Sequence, residues 1–364
     1  MYELTNDQRL CFGLKPVEPD WVPMVLKPSP YHKHTTVVYR EGLCLRKYIA
    51  SGEEQYVESE LNEQLSEDLK YLLPKTSRGK PTLLTAASME KRGGTGMCLR
   101  WLKSPYNLHL WHEESQRVFY SSCYELKPYL ETIGQFAQWV ERWCADTTQE
   151  DLDAVAALSR SGRIHVKYRE GDVFRFPITR RLYGYGRILL DYRQMKKRKE
   201  PTATEFLSGC LVCAVYHIAT ERADLTVEEL EKLPCLPSCY MTDNRIYYGD
   251  YEIIGHIPIR EQEDWPLYYE HRLRANEVVF QCGRRVWILP DTKPVAAHFA
   301  DAYRSSSLNF QLPVLLDCIS AGNNAPHWAS QDYFLDYDLR DPRFRAELEK
   351  VCQQVGVAME EVLV

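Results

Sequence analysis

GDVFRFPITRRLYGYGRILLDY, residues 171–192, decides the fold of the second half of this chain. Apolar and polar residues alternate up to a short basic turn of Thr179, Arg180 and Arg181. A second apolar run follows and carries Gly184 and Gly186. Period-2 alternation broken by a polar turn predicts a β-hairpin. Two glycines two apart place both bare Cα atoms on one face of the second strand, where a bulky cross-strand side chain can lie against the backbone. Downstream, MKKRKE at 195–200 reads as a solvated loop, and the apolar run at 206–218 as a buried strand. Thr226-Val-Glu-Glu229 is a capping box that opens a short helix through Leu233. Strands are expected over 245–248, 251–257, 278–280 and 285–289. At the end, Asp341 caps and Pro342 begins a helix with Phe344, Leu348, Val351 and Cys352 on one face and Gly356 as its stop.

The first half reads as strands over 34–40, 43–49, 55–60, 97–103, 106–111 and 117–120, separated by turn pairs such as Glu41-Gly42 and Ser51-Gly52. A helix follows over 133–144, where Phe136, Trp139, Val140 and Trp143 make one apolar stripe. Thr147, Thr148 and Asp151 offer caps for another helix reaching Leu158, and Gly162 ends it. These patterns predict an α+β protein of two domains, 1–160 and 161–364. Each is expected to be a mainly antiparallel, bent sheet or open barrel with a few packed helices. No internal repeat or low-complexity segment is visible.

The pattern Gly171-Asp172-Val-Phe, a polar turn, then Tyr183-Gly184-Tyr185-Gly186-Arg187 resembles the opening hairpin of the immunity protein 26 family, whose members protect bacteria from polymorphic toxins. YYGDYEIIGHIPI at 247–259, the region of Pro266 and VVFQCGRRVWIL at 278–289 follow in the order that this resemblance implies. It spans roughly 163–315 and leaves the N-terminal half unrecognised. Gly171, Asp172, Gly184, Gly186 and Gly255 match it as fold determinants.

The composition is that of a globular chain: 364 residues, 45% hydrophobic and 26% charged. The opening MYELTNDQRLCFGLK has no apolar h-region, and no apolar run approaches the ~20 residues of a membrane span. A cytoplasmic, soluble protein is therefore expected, with its 12 cysteines as reduced thiols. The net charge of −6 is unevenly spread. Residues 163–199 hold twelve Lys or Arg against three acids, a local +9, which leaves −15 for the remainder. Within that stretch Arg180, Arg181, Lys196, Lys197 and Arg198 would form the basic patch of a phosphate-binding surface, if they were not simply solvated.

No catalytic constellation emerges. Cys210-x-x-Cys213 and Cys235-x-x-x-Cys239 suggest zinc, yet the first pair lies in an apolar run without a knuckle turn and the second is interrupted by Pro237. His109 and His112 point to opposite faces of a strand, His32 and His34 lack a third ligand, and His217 and His256 sit among apolar residues. There is no Gly-x-Ser-x-Gly elbow. Neither the segment around Arg78 and Lys80 nor that around Lys91 and Arg92 has P-loop spacing. No metal, cofactor or enzymatic activity is expected. The family resemblance implies instead a non-enzymatic immunity protein that binds a cognate toxin and covers its active site. A nuclease with a basic cleft is the kind of toxin an acid-rich surface suits. The contact is expected at residues 261–269, with Trp265, Tyr268 and Tyr269 as aromatic anchors and Glu261, Glu263 and Asp264 as steering charges. The alternative is a nucleic-acid- or phosphate-binding accessory protein that uses the basic 163–199 stretch, which would bind with strong salt dependence. No membrane partner is expected.

Overall fold

The alternation in the first half produces sheet, and a computed structural model describes residues 1–28, 33–103, 108–121, 130–203, 209–297, 317, 326, 328 and 338–363. The chain folds as two units, Met1–Ile164 and His165–Val364. The first unit holds an antiparallel sheet of seven strands. In spatial order these are β1 (Val22–Val25), β2 (His34–Glu41), β3 (Cys44–Gly52), β4 (Gln55–Gln64), β7 (Thr95–Leu102), β8 (Leu108–His112) and β9 (Arg117–Ser121). A small ribbon of β5 (Tyr71–Leu72) and β6 (Thr82–Leu83) and the short α2 (Ala86–Glu90) lie between β4 and β7 in sequence.

The helices α3 (Ile133–Asp146) and α4 (Gln149–Ser159) start at Thr132 and Thr148, whose hydroxyls each accept the N3 backbone N–H in a capping box. Phe136, Trp139, Val140 and Trp143 are all buried, and pack with Ile49, Tyr56, Leu99, Trp101 and Leu110 of the sheet. A charged cluster lies inside this unit. The Glu58 carboxylate accepts from Lys47 Nζ at 2.7 Å, from Arg9 Nε of α1 (Asn6–Cys11) at 2.8 Å and from the Tyr56 hydroxyl at 2.5 Å. Lys47 and Glu58 are both 0% exposed, so each charge depends on the others for the solvation that water would otherwise give.

The second unit is built on the hairpin. β10 (Asp172–Pro177) pairs with β11 (Tyr183–Asp191) so that Phe174 faces Gly186 and Phe176 faces Gly184. The two phenyl rings lie where side chains on those glycines would be. The hairpin forms the middle of a five-stranded sheet in the order β13 (Cys239–Thr242), β12 (Cys210–Thr220), β11, β10, β14 (Glu252–His256). Bulges between Val173 and Phe174, Gly184 and Gly186, and Ile188 and Leu190 bend it. A second sheet joins β15 (Leu267–Arg272), β16 (Glu277–Cys282) and β17 (Arg285–Pro290). Among the described residues every strand pairing is antiparallel and no sheet closes into a barrel. The expected α+β class stands.

Short helices account for the departures. Residues 245–248, expected as strand, belong mostly to α7 (Asn244–Tyr247), because a run of four residues is too short to carry a period that separates helix from strand. The expected loop at 195–200 begins inside α5 (Tyr192–Lys197), which the Asp191 carboxylate caps by accepting from Arg193 N–H at 3.0 Å. The capping box at Thr226 opens α6 (Val227–Leu230), and Asp341 caps a 3-10 turn that runs into α8 (Arg345–Val355), ended by Gly356 at φ +75°. Parts of the expected strands over 106–111 and 206–218 lie outside the described residues, as does the resemblance beyond 297.

Candidate partner-binding site

The segment between β14 and β15 carries the expected acids and Trp265, and two arginines hold it from within. Arg187 breaks an otherwise apolar run of β11 and is 5% exposed. Its Nη2 donates to both oxygens of Glu263 at 2.6 Å, and the same carboxylate accepts from Arg260 N–H at 2.8 Å. The neighbouring Asp264 accepts from Arg340 Nη1 at 2.8 Å and from Ser238 N–H at 2.5 Å. Arg340 also donates to Asp338 and to the Ser238 carbonyl. Burial works against its charge, but Asp264 and Asp338 more than offset that and keep its pKa above the ordinary value. Glu263 is therefore an internal clamp, not a free steering charge, whereas Asp264 is anchored by Arg340 with its side chain still 40% exposed.

The aromatics divide in the same way. Tyr268 and Tyr269 lie in β15 and are 2% and 1% exposed. The Tyr269 hydroxyl donates to Gln354 Oε1 at 2.8 Å and accepts from Val295 N–H at 3.0 Å. Both are core residues. Trp265 is half-buried over Gly283, where a Cβ would fall 2.9–3.1 Å from three atoms of its ring. Gly283 also has φ +56°, so a side chain is disfavoured there by conformation as well as by space. Glu261 and Gln262 are exposed. Together with Trp265, Arg285, Glu360 and Glu361 they line a cleft of about 570 Å³, which Glu263 and the C-terminal Val362 and Leu363 complete. In its wall, Arg285 pairs with Glu361 at 3.1 Å and lies over the Trp287 ring at 5.4 Å.

The basic stretch is dispersed. Arg175 pairs with Glu252, Arg193 with Asp191 and Asp243, Arg169 with Asp172, and Arg198 with Glu200 at 3.7 Å. Lys196, Lys197 and Arg198 are exposed at the end of α5, whereas Arg180 and Arg181 lie at the hairpin turn. The nine residues of β11 separate the two groups by about 30 Å at ~3.3 Å per residue, so they do not form one patch. His256, expected in a core, is one-third exposed and shares a hydrogen bond with Asp172 at 2.9 Å. Cys210 and Cys213 lie on β12 and Cys239 on β13, directly opposite Cys213. Among the described residues no group of three or more His, Cys, Asp or Glu is placed to hold a metal. No helix among them is long and apolar enough to cross a membrane.

Residues 169–278 match the family model of immunity protein 26. The match bears out the resemblance carried by the hairpin and supports an immunity role. No curated protein and no solved structure matches the chain. The immunity protein 26 segment includes the five-stranded sheet and the clamped loop. The first unit, Arg285, Arg340 and the C-terminal wall of the cleft lie outside it. Arg187 and Arg340 were missed by sequence reasoning, although a charged residue inside the apolar run GYGRILLD is itself a signal that a buried partner exists.

Proposed function

We propose that this chain binds a cognate protein toxin and neutralises it by covering the toxin's active site, with the 261–265 loop and its cleft as the contact. The family match supports the immunity role. The observation that supports the location is the pair of clamps made by two buried arginines, Arg187 to Glu263 and Arg340 to Asp264, which fix the loop before any partner arrives. Preorganisation lowers the ordering cost of association. What the fixed loop presents is Glu261, Gln262 and the accessible part of Trp265, an aromatic anchor among polar groups of the kind that dominates protein interfaces. Steric inhibition of this kind asks no chemistry of the chain, and a toxin with a basic cleft, such as a nuclease, suits the acidic surface. The test is to express candidate toxins encoded beside this chain's gene, with and without the chain, and to measure both complex formation and toxin activity. A stoichiometric complex that abolishes the activity is the expected result. Full toxin activity in the presence of excess chain would sink the proposal.

A further inference from the structure

We infer that the cleft between the 261–265 loop and the C-terminal wall receives an arginine side chain of the partner, stacked on Trp265 and paired with the carboxylates of Glu261 and Glu360. This rests on the reading of that cleft as the partner-binding site and specifies what enters it. Four carboxylates line the cleft, and two of them are already engaged: Glu263 by Arg187, and Glu361 by Arg285. Among the described residues no hydrogen bond or ion pair engages Glu261 or Glu360, and both are exposed. The wall is therefore left with negative charge. Cys352 registers it, with a thiol pushed up to about 11 by burial first and then by Glu360 and Glu361.

The occupant follows from the aromatic element. One side of the Trp265 ring rests on Gly283, and the indole forms part of the cleft lining. A cation over an indole gains from the ring quadrupole. A guanidinium fits better than an ammonium because it is planar, weakly hydrated and able to meet a carboxylate with two parallel N–H groups while it stacks. The wall already contains such an arrangement, since Arg285 lies over Trp287 and donates to Glu361. A volume of about 570 Å³ leaves space for one long side chain and the backbone that bears it.

The probe is a hexa-arginine peptide, titrated at low salt into the 15N-labelled full chain, with hexa-lysine and a neutral peptide of equal length as comparisons. Hexa-arginine is expected to move the Trp265 indole N–H signal, assigned by its absence in Trp265→Phe, and to bind more tightly than hexa-lysine. The double variant Glu261→Gln, Glu360→Gln removes two exposed charges that hold no internal partner. It should weaken that binding by about tenfold or more while leaving the unfolding midpoint in place. Equal affinity in the double variant, or signals that move only away from the cleft, would overturn the inference. A toxin that still needs Trp265 but is indifferent to the double variant would overturn it too, while the proposed function stood.

Discussion

Glu263 and Asp264 are adjacent, yet each is bonded to a different buried arginine, and each arginine lies 76 residues away along the chain. That separation is why the sequence marks the loop as charged and aromatic without revealing which of its acids turn inward. The orientation is set by long-range partners that no local pattern encodes. The two kinds of acid should behave oppositely on substitution. Glu263→Gln strands the Arg187 guanidinium in a dry site and is expected to cost about 3–5 kcal/mol in urea unfolding. Glu261→Gln, at an exposed position, should change stability by less than about 0.5 kcal/mol. Equal effects would show that Glu263 is not a clamp. Trp265→Ala should weaken the toxin complex by about 2 kcal/mol or more, mainly through faster dissociation seen in surface plasmon resonance. Because Trp265 also packs on Gly283, the unfolding midpoint must be recorded alongside. A loss of stability that matches the loss of binding would assign the ring to the core alone.

At the level of elements, legibility followed periodicity and length. The hairpin announced itself through an alternating run, a polar turn and an apolar run with two glycines, and α3 through a four-residue apolar stripe that lands on the aromatic core of its sheet. The helices α5 and α7, six and four residues long, complete too few turns to impose a period, and only the cap at Asp191 hints at the first. The pairing of Phe174 with Gly186 and Phe176 with Gly184 follows from spacing alone, because residues two apart on a strand share a face. It also supplies a test of the element. Gly186→Val would push against the Phe174 ring and the Ala214 carbonyl, and is expected to destabilise the second unit by about 1–3 kcal/mol in thermal or urea unfolding. A neutral effect would mean that the strands separate easily enough to make room.

Across the whole molecule, many thiols and phenols are held protonated by burial. Cys282 and Cys352 are pushed up to about 11 by desolvation first, and Cys213, Tyr56 and Tyr240 stand well above their ordinary values for the same first reason. A group whose folded pKa exceeds its unfolded one binds its proton more tightly when folded. Its contribution to stability is complete below the unfolded value and is lost as pH rises through the folded one. Unfolded thiols ionise near ~8.5 and phenols near ~10, so the urea midpoint should hold steady to about pH 8.5 and then fall steadily to pH 11. A midpoint that is flat across that window would contradict the burial of these groups. The two clamps carry a different implication, one for how such a molecule diversifies. A loop braced from beneath treats its outward positions as exchangeable fittings, because a change at Glu261 or Gln262 leaves its braces untouched. Under the proposed contact, one codon can then turn a chain away from one antagonist and toward another, with no poorly folded ancestor in between.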